Sequence, residues 1–225
     1  MMEFLRQLLT VAGKDLRLEL RTRERMVTMF TFAILVAIVF GFALSPAVEV
    51  RLMAGAMIWV TILFAGMLGL GRSFGLEREQ DALVGILLAP IDRGALYLGK
   101  FVANLALVLS TAFIIYLAYA FFFQLQLTGS GLGLILVTFL ACVGFMALGT
   151  LFSAVAGGTR QGDMLIPIIL LPLLTPVVIF GASATQRLLT NRPLAEVIGN
   201  IRVLAAFDLI FLLVCTMVFA SVVEE

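Results

Sequence analysis

Side chains suited to docking a partner lie in one charged stretch, Arg72–Lys100, between two long apolar runs. Acidic and basic residues come first, from Glu77 to Asp81, and a short apolar ladder follows as far as Pro90. Charges beside apolar residues at helical spacing predict a compact amphipathic helix on one side of a membrane. Such a helix is typical of a surface that binds another protein. The alternative is a solvated loop that only sets topology.

Phosphate-binding chemistry is suggested by the segment Gly94–Lys100, but a required residue is missing. Phe101 stands where the Ser or Thr of a P-loop would hold Mg²⁺, and no strand precedes the segment. We therefore predict that this chain does not hydrolyse nucleotide by itself. Lys100 is instead expected to extend its ammonium group to the cytoplasmic surface of the membrane.

The sequence contains no histidine, which removes the commonest metal ligand, general base and haem ligand. Its two cysteines, Cys142 and Cys215, lie within apolar runs and are expected to be buried packing residues. No catalytic residue and no metal ligand is predicted. An enzyme that acts on lipid inside the membrane has little support.

Composition indicates the class of protein that must position these groups. The chain has 225 residues, 62% of them hydrophobic and 13% charged, with a mean hydropathy of +1.15. Soluble domains are about half apolar and a quarter charged. We therefore predict an all-α integral membrane protein with a single membrane domain over residues 1–225. The net charge of +1 gives no indication of nucleic-acid binding.

Six apolar runs are long enough to cross a bilayer, which takes about twenty residues. The predicted transmembrane helices are Met26–Leu44, Leu52–Leu70, Phe101–Phe123, Leu132–Ala156, Met164–Ala184 and Val203–Val223. Eleven Lys and Arg residues fall on the side of the N-terminus and of the 72–100 segment, and four on the other. Because basic residues favour cytoplasmic loops, both termini and the charged stretch are expected to face the cytoplasm.

Two further segments flank the spans. Residues 1–25 place apolar side chains at helical spacing with charges between them, which predicts an amphipathic helix lying in the membrane interface. A solvated basic leader is the alternative. The loop 185–202 is expected to form a short helix or a re-entrant segment at the outer face.

Intramembrane charges, which mark ion relays, are almost absent from the predicted spans. Asp208 is expected near the outer helix end with access to water, the alternative being a buried functional carboxylate. Small residues at Gly71 and Gly75, and at Gly149, Ser153 and Gly157, predict close helix packing, either within the chain or against a partner.

The fifth span contains three prolines, Pro167, Pro172 and Pro176. Each lacks the N–H that would bond the carbonyl four residues earlier. A bent or broken helix is therefore predicted. The prolines could form a hinge or cavity wall that takes two shapes, or a static kink.

The charged stretch, with Ala89-Pro90 and then Gly99-Lys100 at the third span, resembles the permease subunits of ABC-2 type exporters. The segment Lys14–Glu24 running into Phe30–Phe42, and the proline-rich block Gly162–Pro176, are similar to the CcmB family of the cytochrome c maturation system. The sequence departs from the exporter pattern at Asp81, where such exporters often have glycine, and at Val84, where glutamate is common.

This resemblance implies a coupling helix that seats in a groove of an ATP-hydrolysing partner. Leu83 and Leu87 would fill the groove and the charges would fix the register at its rim; the whole contact set is Phe74, Glu77, Arg78, Glu79, Asp81, Leu83, Leu87 and Leu88.

The resemblance also implies a bacterial inner-membrane location, ATP-Mg in the partner, haem handled by other maturation proteins, and a second membrane half that is either another copy or a different subunit. Haem export and release of a haem-loaded chaperone both stay open as the function. The alternatives are an exporter of lipid or drug and a non-transporting scaffold.

Overall fold

The computed structural model of the protein describes residues 2–44, 50–71, 91–125, 131–157 and 162–223. Over those ranges the chain is helical. The α-helices are α1 (Met2–Thr22), α2 (Glu24–Ala43), α3 (Ala54–Gly71), α4 (Arg93–Phe123), α5 (Gly131–Gly157), α6 (Gly162–Leu189) and α7 (Ile198–Val223), with short 3-10 helices at Val50–Leu52 and Leu194–Val197.

Helices α2 to α7 are each long and apolar enough to cross a membrane, which confirms the six predicted spans. The largest difference in their bounds is at α4, which begins at Arg93 rather than Phe101. Asp92 caps this helix, since its Oδ1 accepts a hydrogen bond from the Ala95 N–H at 3.1 Å. The added turns are amphipathic and pack against α1, so hydropathy alone does not identify them.

Helices α3 and α5 form the centre of the bundle. Buried residues make up 72% of the most apolar stretch of α3 and 61% of that of α5, compared with 17% for α2. Helix α3 packs against α2, α4 and α6, while α5 packs against α4, α6 and α7. Gly149 and Ser153 of α5 lie against Leu70 of α3, so this small-residue face packs within the chain.

Helix α1 is joined to α2 by the single residue Arg23, whose left-handed φ of 59° turns the chain sharply. Because of this turn, α1 packs against the first turns of α4, and Val11 and Ala12 of α1 are buried there. Phe4 of α1 lies next to Gly94, and Phe219 near the end of α7 stacks obliquely on Tyr97 at 5.3 Å between ring centroids. Helix α1 and the end of α7 therefore both contact the first turns of α4. The membrane-interface position of α1 and the cytoplasmic location of the termini stay predictions.

The connection from α6 to α7 is shorter than the predicted 185–202 segment. Helix α6 continues to Leu189, and the loop contains one 3-10 turn, Leu194–Val197. The Arg187 Nη1 group donates to the Glu196 carbonyl at 2.7 Å and holds this turn against α6. The predicted short helix is therefore present as a single turn.

Helix α6 runs without interruption through Pro167, Pro172 and Pro176, so the predicted break is absent, and the bend that was predicted as its alternative stays a prediction. Pro172 and Pro176 are exposed on the surface of the single chain and Pro167 is half-buried. Their carbonyl partners therefore lose hydrogen bonds mainly on an outer face. A role as hinge or cavity wall stays a prediction.

The expectation that Asp208 has access to water is also wrong. Asp208 is only 7% exposed and lies ten residues into α7, against Gly144 of α5. Packing between α5 and α7 encloses its carboxyl group inside the bundle.

Candidate functional site

The eight residues predicted to contact an ATPase, from Phe74 to Leu88, lie outside the described residues. The structure does describe both flanks of that segment, the last turn of α3 before Arg72 and the first turns of α4 after Ile91. The contacts of these two flanks therefore determine how a force on the segment between them would reach the membrane helices.

The last turn of α3 is bonded by side chains from two neighbouring helices. Arg25 of α2 donates from Nε to the Gly69 carbonyl at 2.9 Å, and Ser153 of α5 donates from Oγ to the Leu70 carbonyl at 2.7 Å. Carbonyls in the last turn of a helix lack partners within it and carry partial negative charge. A buried cation and a hydroxyl group therefore anchor this end of α3.

Arg25 also joins α3 to three other helices. Its Nη2 donates to Asn104 Oδ1 of α4 at 2.7 Å, and Asn104 Nδ2 in turn donates to Thr150 Oγ1 of α5 at 3.0 Å. Glu19 of α1 lies 3.9 Å from the guanidinium and accepts the Met26 N–H at 2.9 Å. Glu19 thereby satisfies a free donor in the first turn of α2.

The first turns of α4 are anchored by α1. The Lys100 ammonium lies 3.2 Å from Asp15 Oδ2, and the Lys100 side chain is only 1% exposed. The prediction that Lys100 reaches the membrane surface is therefore wrong, because α1 covers it and supplies its counter-ion. The Asp92 N–H donates to Gln7 Oε1 at 3.1 Å, which ties the helix cap to α1 as well.

A glycine permits this close contact between α1 and α4. A Cβ atom at Gly99 would lie 2.7 Å from the Val11 Cβ and 2.9 Å from the Leu8 carbonyl oxygen, well inside ordinary contact distance. Only glycine allows the backbones to approach this closely without a shift of α1.

Together these contacts form one set, the junction cluster: Asp15, Glu19, Arg25, Lys100, Asn104 and Thr150. Its two carboxylates and two cations balance, and its amide and hydroxyl groups are hydrogen-bonded. Among the residues that the structure describes, no group of His, Cys, Asp and Glu could hold a metal ion. The arrangement is suited to fixing five helices together rather than to acid–base chemistry.

The sequence-based predictions did not include the junction cluster, and Arg25 was counted only among the basic residues that set the topology. A usable signal was present, since Asp15 and Glu19 are four residues apart in α1, as are Lys100 and Asn104 in α4. Polar side chains at that spacing share one helix face. Complementary faces on two helices indicate pairing, although the pattern does not name the partner helix.

We expect Arg25→Lys to lower the free energy of unfolding by about 2 kcal/mol. An ammonium group cannot reproduce the fork that bonds both Gly69 and Asn104, and a hydrogen bond to a charged group contributes about 1.5–3 kcal/mol. Arg21→Lys, at an exposed position of α1, is the matched control and should change stability by less than about 0.5 kcal/mol. Denaturant titration of the purified protein in detergent measures both; equal effects would contradict the anchoring role.

Comparison with known proteins identifies relatives of the whole chain. The family model for the CcmB protein matches residues 6–225. Heme exporter protein B of Rhodobacter capsulatus is 29% identical over 83% of this chain and 88% of its own length, and that of Paracoccus denitrificans is 30% identical over 77% and 80%. Heme exporter protein B of Pseudomonas aeruginosa is 26% identical over 80% and 81%.

With its six apolar helices, the chain is a multi-pass protein of the bacterial inner membrane. Because the match extends from the start of α1 through all six of these helices, the chain belongs to the CcmB family.

Proposed function

We propose that this chain is the membrane permease subunit of an ATP-driven complex for haem export in cytochrome c maturation. The relatives that carry the name heme exporter protein B support the substrate. ATP hydrolysis would occur in a partner subunit, since the only P-loop-like segment, Gly94–Lys100, is buried against α1 as the start of α4.

The observation that carries the mechanical part is the anchoring of both flanks of segment 72–90. Arg25 and Ser153 hold the end of α3, while Asp15 and Gln7 hold the start of α4. A push on the segment would therefore pass into α3 and α4 together, and α3 lies at the centre of the bundle.

Helix α1 would act as a brace in this movement. It contacts α4 through Asp15 and Gly99 and reaches α2 through Glu19. If α3 and α4 tilt, α1 must either follow α4 or lose the buried Lys100 counter-ion. Because breaking a buried ion pair from one side costs several kcal/mol, we expect α1, α3 and α4 to move as a unit.

The proposed complex has several further parts. The partner ATPase carries ATP-Mg, and other membrane proteins of cytochrome c maturation handle haem, so that this chain itself binds no cofactor. A second membrane half, a copy of this chain or a different subunit, completes the pathway. Within the complex, ATP hydrolysis drives either haem export or the release of a haem-loaded chaperone.

The coupling proposal is tested with Leu87→Asp. A carboxylate in an apolar groove carries a large desolvation cost, so we expect at least a tenfold loss of ATPase recovered with the tagged chain from mild detergent. Leu87→Met, which keeps volume and apolar character, is the matched control and should recover normal amounts. Normal recovery of the ATPase with Leu87→Asp would overturn the coupling role of this segment.

The same purification tests the haem assignment separately. Haem-handling maturation proteins should accompany the wild-type chain. Recovery of an ATPase without these proteins would support the permease assignment but indicate another substrate, such as a lipid or drug. An ATPase whose turnover is the same with and without this chain would indicate a scaffold.

A further inference from the structure

Asp208 is an acidic side chain in the middle of a membrane-spanning helix. It lies in the apolar stretch Leu194–Phe219, between Phe207 and Leu209, and is 7% exposed. Aspartate inside a membrane span is rare and faces the interior of the protein when it occurs. The proposed coupling route through the junction cluster does not use this residue.

Neither carboxyl oxygen of Asp208 has a hydrogen-bond partner among the described residues. The carboxyl group lies directly against Gly144 of α5, where a Cβ atom would come within 2.6 Å of Oδ1 and 2.9 Å of the Phe207 ring. The Gly144 backbone N–H is the nearest donor to the carboxyl group, but it lies in the middle of α5, where the helix already uses it. The pocket is therefore shaped by glycine for the carboxyl group and, among the described residues, supplies it with no side-chain donor.

Among the described residues, no cation lies within hydrogen-bonding distance of the carboxyl group. The described charged side chains of the helices and the 3-10 turn packed against α7 are engaged elsewhere or lie outside that distance: Arg93 and Lys100 of α4, Arg187 of α6 and Glu196 of the 3-10 turn. The titratable group that interacts with it electrostatically is the buried thiol of Cys142 on α5. A thiol gives no positive charge, and Arg202 at the start of α7 is exposed.

An ionised carboxylate in this setting is strongly disfavoured. Burying an unpaired charge costs several kcal/mol even after relaxation of the surroundings, whereas the neutral acid avoids that cost. A metal cation would need several oxygen ligands, and among the described residues no group of three or more His, Cys, Asp and Glu side chains could hold one. A proton, in contrast, binds to the Asp208 carboxyl group without further ligands.

We propose that Asp208 is a proton-binding site of the membrane domain. It holds a proton while α7 packs against Gly144, and releases it to water when α5 and α7 separate. Because the O–H bond breaks only after water reaches the oxygen, protonation is linked to the packing of these two helices. Any movement that opens the contact therefore releases one proton per chain.

Infrared spectroscopy of the full-length protein in lipid nanodiscs at neutral pH tests the first part. The spectrum of wild type minus Asp208→Asn should contain the carbonyl band of a protonated carboxyl group, with slow exchange in heavy water. Wild type labelled with heavy carbon in its aspartate carboxyl groups should show the same band shifted, which keeps the test independent of the folding of the variant. A difference spectrum that contains only carboxylate bands, or a band that does not shift, would overturn the assignment.

Two glycine variants of α5 test the link to packing. Gly144→Ala should push the helices apart, remove the protonated band and produce carboxylate bands. Gly131→Ala, on the same helix with nothing within 4 Å of the added Cβ, should leave the spectrum unchanged. A protonated band of full intensity in Gly144→Ala would show that helix contact does not control the proton.

Discussion

Lys100→Met is expected to lower the free energy of unfolding by about 3–5 kcal/mol, the cost of breaking a buried ion pair from one side. The Lys100 side chain is 1% exposed and lies 3.2 Å from Asp15 Oδ2. Methionine fills similar volume, so packing is largely kept. What the variant loses is the buried partner of the Asp15 carboxylate, which is itself only 13% exposed and keeps only the exposed Lys14.

The chain offers a close control for this variant. Lys14 pairs with the same carboxylate at 3.1 Å, but its side chain is 46% exposed. Lys14→Met should cost less than about 1 kcal/mol, because exposed pairs contribute little. Denaturant titration in mixed micelles measures both, and equal losses would mean that burial does not set the strength of the Lys100 pair.

A double variant separates the pair from the packing around it. Adding Asp15→Asn to Lys100→Met removes the carboxylate that has lost its buried partner and should restore a large part of the lost stability. If the double variant is less stable than Lys100→Met alone, the loss arises from packing rather than from charge.

Gly99→Val is expected to lower the free energy of unfolding by about 3 kcal/mol and to release α1 from α4. The added side chain would overlap Val11 and the Leu8 carbonyl, and the backbone at Leu8 cannot move aside without displacing the helix. Overpacking of this kind typically costs about 1–3 kcal/mol, and a contact with backbone lies at the upper end. Trypsin should then cleave faster after Arg6 and Arg17 in α1.

Gly13→Ala is the control on the other side of α1. A Cβ atom there meets nothing within 4 Å, so the substitution should stabilise the helix by up to about 1 kcal/mol through propensity alone. Trypsin cleavage should be unchanged or slower. Slow cleavage in Gly99→Val would contradict the close contact between the two helices.

Hydropathy predicted the six spans because a bilayer-length run of apolar residues has few alternative structures. The start of α4 was predicted poorly because hydropathy detects only apolar runs. Arg93–Lys100 contains charged residues and two glycines, which look like a loop, although α1 covers them in the structure. Local composition does not reveal that another helix supplies the missing counter-ion.

The junction cluster could not be assembled from the sequence because its bonds join distant positions. Arg25 and Asn104 are 79 residues apart, and Asp15 and Lys100 are 85 apart. Asp208 posed a different difficulty, since hydropathy places it in a helix but does not report which face it lies on. Gly144 was not predicted as a site residue, because its role depends on the contact between α5 and α7, which the sequence does not show.

The pairing of Asp15 with Lys100 also constrains the order of events during synthesis. Helix α1 leaves the ribosome before α4, because chains emerge from the N-terminus, and its partner Lys100 lies 85 residues after Asp15. Until α4 has been inserted, the face of α1 that packs against α4 stays exposed. Helix α1 can therefore dock on α4 only after the two intervening spans, α2 and α3, have been made and α4 has followed them.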